Sequence, residues 1–556
     1  MSAPSHNPPV QAAEPGGHGD GAASADSRGL LMQAVALHQS GRLDEAVAKY
    51  RKVLEHDPAS AEVHSNLGLA LQGKGKLDEA IASYRKALSL KPDFAVAHAN
   101  LGNALKEKGH LDEAANCYRN AISCMPDFAD AYYNLGVVQN ALLKPREAAA
   151  SYRNALRYKP DNVAAYINLG NVTQQLGESE EAARCYQMAI ALKPDLVEAH
   201  NNLANALRDM GKLDAAVESY RKALLLDPDN AEAHINLSYT LLMRGAFQEG
   251  WLEYEWRIQS KTGNAYINDP RDPSRVLPRP SALLPLSLEG KRILLVRDQG
   301  LGDELFFLSF ARVAQQQGAW TAYCPSAKIK TIVQRAPGLD LVLSESDKPP
   351  NLDHIFSVAD LPLILGMESV DDMPSALKLT ALPERVAAIR ERLAELGTGP
   401  FLGVTWRAGT EKTPGGPVAP FRETDILLLG HALANWPGEV LILQRFPHPE
   451  EMESFMRALG RPAHDFSALN EELEDMLALL SLLDDYVGVS NTNMHLMAGL
   501  GKAARVLITH PPDWRWMEAG NKSPWFPGFE LYREEADGSW NAACSRLTED
   551  LHKAIP

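Results

Sequence analysis

Proline recurs every 34 residues through the first half of this chain, at Pro58, Pro92, Pro126, Pro160, Pro194 and Pro228. Tyrosine keeps the same step from Tyr50 to Tyr254, and alanine from Ala46 to Ala216. So regular a period demands a stacked array, because one short unit cannot bury its apolar face alone. Each position has a physical task. Gly68, Gly102, Gly136 and Gly170 let the two helices of a unit approach closely, and Ala80 and its equivalents do the same from the second helix. Gly41, Gly75, Gly109, Gly177, Gly211 and Gly245 stand where the first helix must stop and turn. The prolines cannot continue a helix and close each unit. One position before a leucine, Asn66, Asn100, Asn134, Asn168, Asn202 and Asn236 form a ladder on the first helices. Their amides donate and accept, so they suit clamping a peptide backbone; shared stacking requirements explain the recurrence equally well.

A 34-residue period with Leu-Gly in the first helix, a small alanine, an aromatic and a closing proline is the tetratricopeptide pattern. It predicts an all-α tetratricopeptide superhelix over 29–262, six regular repeats and a capping one, holding a protein or peptide. The last repeat has Thr262 where proline is due and carries Trp251 and Trp256, extra apolar bulk for docking onto the next part of the chain. Residues 1–28, rich in Ala, Gly, Pro and Ser, are expected to be a disordered tail. A Pro-rich linker is expected over 263–289. Beyond it, short apolar runs alternate with helical stretches: Arg292–Val296, Thr321–Tyr323, Phe401–Trp406, Val440–Leu443, Tyr486–Val489 and Arg505–Ile508. Such alternation implies parallel sheets covered by helices. Two sets, 290–397 and 398–556, suggest two Rossmann-like domains, with ligands at the carboxyl ends of the strands.

Three groups stand at those ends. Gln299-Gly-Leu-Gly302-Asp303-Glu304 follows a strand and opens a helix expected from Asp303 to Gln317; Gly302 permits close approach, and Asp303 is either a helix cap or a base facing the crevice. Ser490-Asn491-Thr492-Asn493 precedes a helix from Met494, where free N–H groups and the positive dipole end suit a phosphate, with His495 able to add a charge-assisted bond. The bland reading is that these residues cap the helix and His495 packs against a loop. Arg407 with Lys412, and Gln444-Arg445, put cations and amides at two further strand ends.

The net charge of -16 argues against a general nucleic-acid binder. No apolar run approaches the roughly 20 residues of a transmembrane helix, and the start lacks a secretion signal, so a cytoplasmic protein is expected. Five scattered cysteines and the absence of paired Cys or His spacing suggest neither disulfides nor a metal site, and no cofactor.

The second half resembles the bacterial glycosyltransferases related to the lipopolysaccharide heptosyltransferases, of GT-B architecture. The resemblance lies in the Gly302-Asp303 turn, in Ser490-Asn-Thr-Asn-Met-His495-Leu-Met-Ala-Gly-Leu-Gly501, and in Pro512-Asp-Trp-Arg-Trp516 followed by Ser523-Pro-Trp-Phe-Pro527. The family's usual D-T-x-x-x-H-L-A has Asp where Ser490 stands and Thr where Asn491 stands. Repeats followed by such a module resemble the protein O-linked N-acetylglucosamine transferases. The resemblance implies an inverting, metal-independent glycosyltransferase with a nucleotide-sugar co-substrate. In it Asp303 is the base, and His495, the Ser490–Asn493 segment and Arg407 hold the diphosphate, with Gln444 toward the nucleotide. The alternative, for which the Ser490–Asn491 departure argues, is a non-catalytic binding scaffold with a degenerate transferase module.

Overall fold

The computed structural model describes residues 25–259, 268–269, 272–276, 280–297, 300–344, 347, 351–408 and 422–554. It divides into two compact units, Met1–Ala206 and Leu207–Pro556.

The first unit is a run of antiparallel helix pairs. Ala25–Gln39 pairs with Leu43–His56, Ala61–Gly73 with Leu77–Leu90, Ala95–Glu107 with Leu111–Cys124, Ala129–Ala141 with Pro145–Tyr158, and Val163–Gln175 with Ser179–Leu192. The first helix begins at Ala25, inside the segment expected as tail; once a helix is nucleated on the Leu30–Leu31 face, further turns add at little cost. The rest of that tail, 1–24, lies outside the described residues. The repeated glycines seat the repeated tyrosines. A Cβ on Gly68, Gly102, Gly136 or Gly170 would stand 2.7, 2.8, 2.7 or 2.6 Å from Cε1 of Tyr84, Tyr118, Tyr152 or Tyr186. The turn glycines take left-handed φ, from +70° at Gly211 to +85° at Gly245. In the fourth repeat Leu143 fills the same role at φ +58°.

The asparagines are partly spoken for. Asn66 and Asn100 are buried. Asn134 accepts from Lys106 Nζ at 2.9 Å and donates to the Asp130 carbonyl at 2.9 Å. Asn168 donates to the Tyr133 hydroxyl at 3.2 Å, and Asn202 to Asn171 at 3.1 Å.

The second unit opens with Leu213–Leu226, Ala231–Arg244 and Phe247–Tyr254, which share a core with two sheets. The compact units therefore divide at 206/207 and not at the expected 262. The reason is aromatic: Trp251 meets Trp514 edge-on at 5.3 Å and Phe307 at 6.1 Å, and Phe247 meets Trp525 at 5.4 Å. Arg257 forms a buried ion pair with Asp360, and Glu255 accepts from Ser281 N–H at 3.0 Å. Within the expected linker, Asn268–Asp269 and Asp272–Val276 pair as antiparallel strands.

The first sheet contains β1 (Arg292–Val296), β2 (Trp320–Cys324), β3 (Leu341–Val342) and β4 (His354–Ser357), all parallel in the order β3-β2-β1-β4. The second contains β5 (Phe401–Thr405), β6 (Glu439–Ile442), β7 (His464–Asp465), β8 (Asp485–Val489), β9 (Ala504–Ile508) and β10 (Phe529–Arg533), parallel in the order β7-β6-β5-β8-β9-β10. The second half of the chain is thus an α/β module with two parallel sheets. The helix expected over 303–317 is two, Leu301–Leu308 and Ala311–Gln316, interrupted where the Ser309 hydroxyl donates back to the Phe306 carbonyl at 2.6 Å.

Candidate functional site

The carboxyl edges of both sheets border one cleft of about 700 Å³ within the second unit. The order of the second sheet reverses between β5 and β8, the place where doubly wound sheets take ligands. Gly302, Asp303, Arg407, Ser490, Asn491, Thr492, Asn493 and His495 all line this cleft, and so does Asn236, the last rung of the asparagine ladder.

Asp303 is the third residue of helix Leu301–Leu308 and accepts from the Gly300 N–H at 3.3 Å, which is a capping contact. Its other oxygen is paired with Arg515. Arg515 in turn grips Asp513 through Nη1 at 2.9 and 3.0 Å and lies over the Trp514 ring at 4.7 Å. One buried guanidinium thus bridges the two cleft carboxylates.

His495 sits in the first turns of helix Thr492–Gly499, edge-on to Phe306 at 6.2 Å and Phe526 at 5.4 Å. A Cβ on Gly302 would stand 2.9 Å from His495 Cδ2 and 3.1 Å from Nε2. Glycine at 302 is what lets the two helix N-termini meet. Asn491 is the N-cap: its Oδ1 accepts from Asn493 N–H at 3.0 Å, while Nδ2 donates to Thr405 Oγ1 at 3.0 Å. Asn491 thereby ties β8 to β5 across the sheet reversal.

Two residues expected at the donor are engaged within the protein. Arg407 is buried and bidentate with Glu451, Nε at 3.0 Å and Nη2 at 3.2 Å, and donates to the Phe446 carbonyl. Burial alone would raise the Glu451 carboxyl; these bonds outweigh it and hold it below the usual range. Its charge so neutralised, Arg407 braces the site. Gln444 is 1% exposed, and its Oε1 accepts from the Trp406 and Arg407 N–H groups at 3.0 Å each. It does not reach the cleft. The next residue, Arg445, does, as does Arg208 from the last residues of helix Val197–Asp209. Lys412 and Gln299 lie outside the described residues. Asp513 and Arg515 belong to the Pro512–Trp516 stretch that carries part of the resemblance, which assigns them no role; Arg208 carries no local sequence signal for the site, and Asp303 and Arg515 are 212 positions apart.

Among the described residues, no group of three or more His, Cys, Asp or Glu is gathered to hold a metal, and no helix is long and apolar enough to cross a membrane.

Six stretches match the TPR repeat family, residues 35–75, 73–109, 102–142, 146–177, 175–207 and 204–245. These residues are TPR repeats, and they make the first half a protein-interaction scaffold. The chain is similar to Protein FlbA of Caulobacter vibrioides, 25% identical over 345 residues, covering 56% of this chain and 53% of FlbA. It thus spans about half the length of that curated relative. Among solved structures it is similar to YrrB, a TPR protein with an unusual peptide-binding site, at 24% identity over 33% of this chain and 95% of that one, TM-score 0.32. It is also similar to MamA, at 26% identity over 31% and 94%, TM-score 0.29. A tetratricopeptide repeat protein from Parabacteroides merdae matches at 21% identity over 41% and 91%, TM-score 0.33.

Proposed function

We propose that the second unit is a glycosyltransferase that moves a sugar from a nucleotide-sugar donor to a protein or glycan acceptor recruited by the repeats. The observation that carries this reading is the convergence, in one cleft, of a carboxylate, a histidine and a phosphate-suited helix N-terminus with Asn236 of the repeats. The donor diphosphate fits the Thr492 N–H at the start of helix Thr492–Gly499, where the helix dipole favours negative charge. His495 stands beside it. Cations at Arg445 and Arg208 add positive charge where the leaving group develops its own. Asp303, steadied by Arg515 and the Gly300 N–H, takes the proton of the acceptor hydroxyl as the glycosidic bond forms. In an inverting transfer the hydroxyl oxygen attacks the anomeric carbon, and the nucleoside diphosphate departs with the bonding pair.

The two carboxylates of the cleft, Asp303 and Asp513, already share Arg515. Transfer is therefore expected to persist in excess EDTA; turnover that collapses and returns with manganese or magnesium would refute metal independence. The reading itself is tested by incubating the full chain with a panel of nucleotide sugars and measuring nucleoside-diphosphate release. Release with at least one donor supports it.

The second reading, a binding scaffold with a degenerate module, draws on Arg407 being neutralised by Glu451. It expects no release with any donor while partner capture by the repeats stays intact.

A further inference from the structure

Phe446 lies just beyond β6 with backbone φ +47°, in the left-handed region that bulky residues avoid. The residue is 51% exposed, so the strain is not offset by burial of the side chain. The posture is nevertheless fixed from below. The Phe446 carbonyl accepts from Arg407, Arg407 is held by Glu451, and Glu451 also accepts from the His448 N–H at 3.0 Å and the Trp406 indole at 3.4 Å. Gln444 locks the neighbouring backbone through its two bonds to Trp406 and Arg407. A surface aromatic over-determined in this way by buried polar groups marks a position where strain serves a ligand.

The ligand's chemistry comes from the neighbours. Arg445 lines the cleft, and its guanidinium lies over the Phe446 ring, 4.8 Å from the centroid. β6 is the strand next to β5, and β5 borders the sheet reversal at which helix Thr492–Gly499 begins. A diphosphate on that helix N-terminus leaves the rest of a nucleotide to extend along the strand ends, past β5 toward β6. Arg445, which follows β6, lines the cleft, and the exposed Phe446 ring beneath its guanidinium offers a flat π surface suited to a planar heterocycle.

We propose that Phe446, with Arg445 against it, is the platform on which the nucleobase of the donor stacks. This subsite rests on the proposed nucleotide-sugar donor and extends its binding site. Stacking tolerates every base, so this platform selects a nucleotide without selecting which.

Isothermal titration of the full chain with UDP, GDP, ADP and inorganic pyrophosphate tests it. At least one nucleoside diphosphate should bind more tightly than pyrophosphate. Phe446→Ala should weaken that nucleotide about 10-fold and leave pyrophosphate unchanged, while Phe446→Trp retains affinity. Phe446→Gly separates binding from folding, since it relieves the strained φ: its melting temperature should rise while nucleotide affinity falls. Wild-type nucleotide affinity in Phe446→Ala would overturn the platform and leave the donor reading standing. Failure of wild type to bind any of the three nucleoside diphosphates would overturn both.

Discussion

Leu143 shows how tightly the repeat binds its residues to backbone geometry. The equivalent turns on either side carry glycine at positive φ, Gly109 and Gly177, whereas Leu143 takes φ +58° with 74% of its surface exposed. A left-handed L-residue costs roughly 1–2 kcal/mol, partly returned by the greater unfolded-state freedom of glycine. Leu143→Gly should therefore stabilise the chain by about 1 kcal/mol, read as a higher denaturant midpoint at unchanged m-value. A lower midpoint would mean that the leucine side chain contributes packing. At this scale the site is only half legible in the sequence. Asp303, His495 and Ser490–Asn493 stand out because they sit where an apolar run gives way to a helix. Gln444 misleads because side chains at a strand end alternate between faces: 444 turns inward and 445 outward. The pairing of Arg515 with Asp303 is not legible, because Asp303 opens a helix that belongs to the other sheet.

Elements are read best where burial makes them uniformly apolar. β1, β5, β8 and β9 follow the apolar runs within a residue or so. β10, Phe-Glu-Leu-Tyr-Arg, mixes charge with apolar residues at the sheet edge and offers no continuous run. The two sheet-bearing halves are joined by a side-chain clamp as well as by the chain. Arg335 donates to both oxygens of Glu474, at 2.9 and 2.6 Å; Arg335 caps helix Lys330–Gln334, and Glu474 lies in helix Leu473–Leu482. Burial raises the Glu474 carboxyl, but the bonds from Arg335 and Thr331 outweigh it and leave it below the usual glutamate range. A depressed folded-state value means stability that is present above the unfolded value, about 4.3, and lost as pH falls through the folded one. Glu474→Gln should cost roughly 1–3 kcal/mol at pH 7, as charge-assisted hydrogen bonds do. The gap from wild type should close as pH drops below about 4. A gap that stays constant from pH 7 to pH 3 would show that Glu474 acts through shape alone.

The whole molecule joins a TPR scaffold and an α/β module in one chain. The asparagine ladder is the component that runs from one compact unit into the other along the sequence, with Asn236 on the cleft wall. Asn134, Asn168 and Asn202 are half-buried and keep hydrogen-bonding capacity beyond their contacts with Lys106, Asp130, Tyr133 and Asn171. Replacing these three with Ala should weaken capture of a protein partner at least several-fold while circular dichroism and melting stay close to wild type. Undiminished capture by the folded variant would reduce the ladder to a stacking device.

The proposed transferase reading rests on Asp303 as the base, and the rate of nucleoside-diphosphate release in the presence of acceptor protein tests it most directly. Asp303→Asn keeps the size of the side chain but has a single acceptor oxygen for the Gly300 N–H and Arg515, and it cannot take a proton. With Asp303 as the base, this variant should bind donor like wild type and turn over roughly 100-fold or more slowly. Release at the wild-type rate by Asp303→Asn would contradict that role.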